Sequence, residues 1–226
     1  MAAAGRSPAE GLARIEDEFL AEHLSHPGPV ALPGWRNRPD RLLARIVGQA
    51  MPFSYYVRLS ARDQKTYRQS DRVTGIGLPT PALLHPLVEG LREALEREDR
   101  RAVEAAASYL SRGMTEMLAV PPAAVQVLAV RPSSDWGELH GLYTRDGRRP
   151  PRIQLWMRTA RHRRVVRFRT FLRTLLHELG HHLDYEHLKL RDSFHTEGFF
   201  RRESSLFHQL VPGEGPRASE GDGRHP

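Results

Sequence analysis

The run His177-Glu178-Leu179-Gly180-His181 sets two imidazoles four residues apart with a carboxylate between them. On an α-helix, positions i and i+4 lie about 40° apart around the axis and one turn apart along it. Both rings can then reach a single ion at the roughly 2.0–2.1 Å that zinc–nitrogen bonds require. Glu178 is one position round from His177, where its carboxylate reaches a water on the metal without ligating the metal. Two ligands and a flanking base are the parts that water activation needs, so the motif predicts metal-assisted hydrolysis.

Two histidines leave zinc short of protein ligands. The chain has no cysteine, which removes thiolate sites, disulfides and cysteine nucleophiles together. His195 is the first choice for the third ligand, with Glu197 and Glu203 as alternatives. His187 stands at the interval from His177 that a metzincin pattern uses, but Asp184 occupies the place where that pattern needs glycine for a sharp exit. No methionine follows Met157 to build a Met-turn, so His187 reads as a helix-end or surface residue. Asp184, on the ligand stripe beyond His181, either accepts the spare N–H of His181 and fixes its tautomer or simply caps the helix end. His182 points about 100° away from His181 and reads as a packing or surface residue. Tyr143 and Tyr185 are the candidate oxyanion donors.

These residues need elements to carry them. Phe168, Phe171, Leu172, Leu175, Leu176, Leu179 and Leu183 recur at helix spacing and define the helix that bears the motif. Downstream, Phe199 to Leu210 also reads as a helix. Upstream, Leu83, Leu84, Leu87, Val88, Leu91 and Leu95 begin a helical pattern, which Val103, Ala106, Ala107, Leu110, Met114 and Met117 resume after a charged break at 96–101. Strands are predicted at 124–130, 139–144 and 153–157, the last expected to pair with an extended substrate. Residues 60–81 are polar and punctuated by Gly and Pro, and read as a loop. Short helices are predicted at 8–25 and 40–50. The expected organisation is an N-terminal extension over 1–75, one α+β domain over 76–211, and a disordered Gly/Pro-rich tail over 212–226.

Composition bounds the rest. The 226 residues are 39% apolar and 27% charged, which suits a globular chain with one substantial core. No stretch approaches the roughly 20 apolar residues that span a bilayer. The N-terminus lacks an apolar signal core, so a cytoplasmic protein without membrane contact is expected. The net charge of +7 has two readings. One is nucleic-acid contact, centred on the arginines between Arg145 and Arg173; the other is arginine-rich composition alone, since Lys65 and Lys189 are the only lysines.

From about residue 139 to 207 the chain resembles the SprT-like zinc metallopeptidases, a family with the zincin fold. The resemblance rests on Gly141-Leu142-Tyr143, the strand Ile153-Gln154-Leu155, the motif helix, and His195 with Phe199 beyond it. In that family a downstream histidine, usually in a His-Gly-x-x-Phe setting, is the third zinc ligand. Here the text is His195-Thr196-Glu197-Gly198-Phe199, with the glycine displaced. The resemblance implies a zincin-like domain, with a small sheet and a long active-site helix, that uses zinc to hydrolyse protein or peptide substrates with Glu178 as general base. Several relatives carry a cysteine-based zinc ribbon, which this chain lacks, and some cleave proteins attached to DNA. Two other readings stand beside it: a protease acting on DNA-associated proteins through the basic segment, and a nucleic-acid-binding protein whose zinc is structural or vestigial. A ferritin-like di-iron site would need a second Glu-x-x-His, and the sequence has none.

Overall fold

The computed structural model describes residues 53–212, apart from 135, 136 and 148. The helices expected at 8–25 and 40–50, and the tail beyond Pro212, lie outside the described residues. The architecture is mixed α+β, with helices packed around a small three-stranded sheet. No helix among the described residues is long and apolar enough to cross a membrane.

A 3-10 turn at Ser54–Arg58 leads into α1 (Ala61–Arg72), where a loop was expected. Ser60 caps this helix by accepting the amide of Asp63. Its buried residues are Thr66, Tyr67 and Ser70, so it has almost no apolar periodicity to announce it. The 3-10 turn and α1 lie on the N-terminal side of the boundary expected at 75/76, and both are hydrogen-bonded to the region that begins at His195.

α2 (His85–Glu96) and α3 (Arg100–Met117) follow with the break where the charge pattern placed it. Glu98 takes φ 55°, and Asp99 caps α3 by accepting the amides of Arg101 and Ala102. Val88, Leu91, Val103, Leu110 and Met114 are buried in the core as their spacing requires. Leu83 departs from the stripe and is 69% exposed, because Pro81–Leu84 forms a 3-10 turn with a different phase.

The sheet has the order β1-β5-β4. β1 (Ala124–Val130) runs parallel to β5 (Arg152–Arg158), and β4 (Gly141–Thr144) runs antiparallel to β5 with Gly141 opposite Leu155. A separate pair, β2 (Ser133–Ser134) and β3 (Gly137–Glu138), lies between. β5 is therefore central, with both edges occupied by neighbours. It is not the strand open to an extended peptide; among the described residues the sheet's edge strands are β1 and β4.

β5 feeds the motif helix through a tight return, in which Val166 N–H donates to the Met157 carbonyl at 2.8 Å. α4 (Phe168–Glu186) then lays Leu172, Leu175, Leu176, Leu179 and Leu183 into the core, each fully buried. Side chains buried to this extent contribute about 1.5–3 kcal/mol apiece, enough to fix the helix's rotation and hence where its polar face points. α5 (Glu197–Leu210) packs against α4 and α1. The contact with α1 is close at Gly198, where a Cβ would collide with the backbone of Asp71. Gly198→Ala is expected to destabilise the fold by about 1–3 kcal/mol, as overpacking does, read as a lower midpoint in urea unfolding. An unchanged midpoint would mean that the two helices are not in contact there.

Candidate metal centre

Helix geometry and a chain reversal bring the ligand candidates together. His177 and His181 project from the same side of α4, with ring centroids 5.0 Å apart. The chain leaves α4 through a residue in the left-handed region, Lys189 at φ 54°, after which Leu190 N–H donates to the Asp184 carbonyl at 2.8 Å. The turn thus falls later than a metzincin-like exit at position 184 would place it, and it sends residues 190–196 back along the helix. Thr196 caps α5 by accepting the amide of Phe199, and His195 is the residue just before that cap. The capped turn sets His195 against the two helical rings.

His195 Nε2 lies 3.0 Å from His177 Nε2 and 3.1 Å from His181 Nε2. A tetrahedral zinc with bonds of about 2.0–2.1 Å separates its ligand nitrogens by roughly 3.3 Å, so the spacing suits such an ion. The outward nitrogens sharpen the fit. His177 Nδ1–H donates to Glu203 Oε2 at 3.2 Å. His181 Nδ1–H donates to Ser193 Oγ at 2.8 Å, and that hydroxyl donates in turn to Asp184 Oδ2 at 2.8 Å. Both helical rings are thereby held in the tautomer that turns an Nε2 lone pair inward, and His195 Nε2 has at most one hydrogen to offer the two of them. All three rings are buried, with exposures of 1%, 6% and 7% for His177, His181 and His195. This cluster of three imidazoles can hold a metal ion. An all-imidazole set suits zinc, copper, iron or nickel.

The neighbourhood is aromatic on one side. Phe199 packs against all three rings, at centroid distances of 5.0 Å from His177, 4.7 Å from His181 and 5.3 Å from His195. Its Cζ would stand 3.1 Å from a Cβ at Gly180, so the glycine inside the motif admits the phenyl ring between the two ligands. Phe200 stacks on His195 at 5.7 Å. Glu178 is buried under the sheet's edge, and a Cβ on Gly141 would clash with its carboxylate and stand 2.8 Å from Thr174 Cγ2. The glycine that opens β4 therefore makes room for the candidate base.

Other expected residues fall elsewhere. Glu203 approaches the outward nitrogen of His177 rather than the space between the rings, and also accepts from Arg173 at 3.2 Å. Glu197 sits half-exposed in the first turn of α5, paired with Arg201. Neither is the third ligand in this arrangement. Asp184 does not take the N–H of His181 directly, as one reading of it expected: Ser193 stands between the two. His187 is exposed at the end of α4. His182 is buried, donating from Nε2 to the Pro121 carbonyl at 2.7 Å and accepting from Tyr143 at 3.1 Å. Tyr185 donates to Asp192 at 3.0 Å, so both candidate oxyanion hydroxyls are committed away from the ligand rings. Sequence reasoning missed Ser193, Arg202, Tyr55 and Phe200, since a lone serine, one member of an Arg-Arg pair and two aromatics carry no spacing signal. Comparison with protein-family models, curated proteins and solved structures finds no match for the chain.

Burial holds His181 well below the ordinary histidine range, helped by His195, His177 and Arg202, and burial with His177 does the same to His195. In the metal-free protein these rings stay neutral at a pH where the unfolded chain, with histidines near 6.5, takes up protons. The stability they contribute is therefore complete above about pH 6.5 and is lost as the pH falls. Burial pushes Asp184 up to about 6, which acts in the opposite sense and offsets one of the two protons. Thermal melts of metal-free protein are expected to give a lower Tm at pH 5.5 than at 7.5, and a Tm that rises on acidification would contradict buried neutral rings. Metal analysis after dialysis should find about one zinc per wild-type chain and in His187→Ala, but none in His177→Ala, His181→Ala or His195→Ala. Stoichiometric zinc in all three would dismiss the cluster as a site.

Proposed function

We propose that the chain is a zinc-dependent endopeptidase of the SprT-like kind with a zincin-like domain. The observation that carries the reading is the convergence of three Nε2 atoms, two of them from the helix on which the buried Glu178 directly follows His177. His177, His181 and His195 would hold the ion. Zinc bound there supplies Lewis acidity toward the scissile carbonyl and acidifies water near neutral pH. Glu178 takes a proton from the attacking water and returns it to the departing amine, so the carboxylate ends each cycle as it began. Its burial beneath Gly141 gives it one confined position instead of a solvated sweep. β4 is the sheet's edge on this side, and its backbone can receive an extended peptide by strand addition next to Glu178.

A specific observation also favours nucleic acid near the substrate. Arg161, Arg163, Arg164, Arg167 and Arg169 are all exposed around the turn that enters α4. With Arg145, Arg149 and Arg152 they are the exposed arginines described in the Arg145–Arg173 segment, which suits a protease acting on DNA-associated proteins. If they bind DNA, affinity should fall steeply between 50 and 200 mM salt, and a salt-independent signal would discard the idea.

The decisive test of catalysis is Glu178→Gln. This variant is expected to retain zinc while peptide cleavage falls by about 10²-fold or more, measured on an unstructured protein substrate. Cleavage at the wild-type rate would remove Glu178 from the role of base.

A further inference from the structure

We propose that Arg202 is a positioning residue of the metal centre, joining α1 to the ligand set through Asp184 and Ser193. The proposal rests on the zinc reading above and deepens it. Arg202 lies on α5 with 3% of its surface exposed. One guanidinium nitrogen donates to the carbonyls of Ser70 and Val73, both at 2.6 Å, at the C-terminal end of α1. The other donates to Ser70 Oγ at 2.9 Å and to Asp184 Oδ1 at 2.7 Å. Asp184 is fully buried, and its second oxygen accepts from Ser193, which accepts from His181 Nδ1. An unbroken series of hydrogen bonds thus runs from the last turn of α1 to the outward nitrogen of a ligand ring.

The direction of each bond gives the series its effect. Arg202 has only hydrogens to give, so Asp184 Oδ1 must accept, and the ionised carboxylate then accepts at Oδ2 as well, from Ser193. Ser193 has one hydrogen and uses it on Asp184, which leaves its oxygen to receive the Nδ1–H of His181. The ring's Nε2 is therefore bare and aimed inward. A guanidinium so placed specifies the tautomer of a histidine it does not touch.

The same stretch of chain reaches the third ligand from a different side. Tyr55 donates its hydroxyl to the carbonyl of His195 at 2.6 Å. Asp71 accepts the amide of Gly198 at 2.9 Å, Ser70 meets the capping hydroxyl of Thr196 at 3.4 Å, and Tyr67 packs against Phe194. Residues 53–73 thereby brace both the helical ligand and the one that precedes α5. The polar α1, which contributes little to the apolar core, is accounted for by this bracing.

The test uses the full chain and two independent breaks in the series. Ser193→Ala removes the hydroxyl while leaving the Arg202–Asp184 pair in place, and Arg202→Lys keeps the charge but cannot reach α1 and Asp184 together. Zinc affinity is measured by competition with a chromophoric chelator, and the visible spectrum of the cobalt-substituted protein reports ligand geometry. Both variants are expected to bind zinc about 10–100-fold more weakly, with an altered cobalt spectrum, and Ser193→Thr is expected to restore both. A loss in Ser193→Ala that Ser193→Thr does not rescue would overturn the proposal, as would wild-type affinity and spectrum in folded variants. If Arg202→Lys fails to fold, Ser193→Ala and its rescue decide the matter. Zinc binding with the expected losses but no peptide cleavage by the wild type would sustain the positioning role and reject the peptidase reading. A wild type that binds no zinc would reject both.

Discussion

An imidazole nitrogen of His195 that faces those of His177 and His181 across about 3 Å, with water largely excluded, forms an unfavourable arrangement unless something positive or a shared hydrogen stands between them. The outer nitrogens of His177 and His181 are already engaged, so neither ring can escape by exchanging tautomers. The protein accepts this crowding in return for a preformed site, and much of its local architecture serves to keep the rings from turning away. The leucine face of α4 locks the helix's rotation, Phe199 fills the space beside the rings, and carboxylates or a hydroxyl hold their far edges. A cation bound there would relieve the crowding, and the orienting bonds would already be formed before it arrived.

Much of this was legible in the residues, and the rest was hidden for identifiable reasons. The motif helix announced itself because a long leucine repeat and the histidine interval share one period. Strand 124–130 and the two core helices were equally clear, being bounded by Pro and by a charged break. α1 was lost because its inward face is Thr66, Tyr67 and Ser70, which read as surface. A signal was present even so: Ser60 with Asp63 three residues later is an N-terminal capping pattern, and the structure uses it. The central place of β5 was invisible, since strand order is a property of the assembled sheet and not of any segment. The bonds through Ser193 and Arg202 were likewise beyond reach, because they join residues that only the reversal at Lys189 brings together.

The arginines show how little a composition says about individual roles. Arg173 lies over Phe207 at 4.3 Å and pairs with Glu203. Arg145 covers Tyr185 at 4.8 Å and approaches Glu186. Arg158 pairs with Glu98, which ties the end of β5 to the α2–α3 turn. Arg202, adjacent to the exposed Arg201, is among the most deeply buried charges described. One count of positive charge thus conceals apolar packing, internal bracing and a solvated turn, and only the last of these is a plain candidate for phosphate.

His195 occupies the position immediately ahead of the Thr196 cap, and this makes a candidate ligand out of a boundary. At its far end α5 is anchored, with Leu206, Phe207 and Leu210 buried in the core and Gln209 hydrogen-bonded to the backbone of Leu78 and Ile76. At its near end the register is as strict, since shifting the first turn by a single residue would carry the ring about 100° around the axis. Insertions and deletions in descendants of this chain should therefore avoid the span from the Lys189 reversal to the cap, which behaves as a ruler of fixed length.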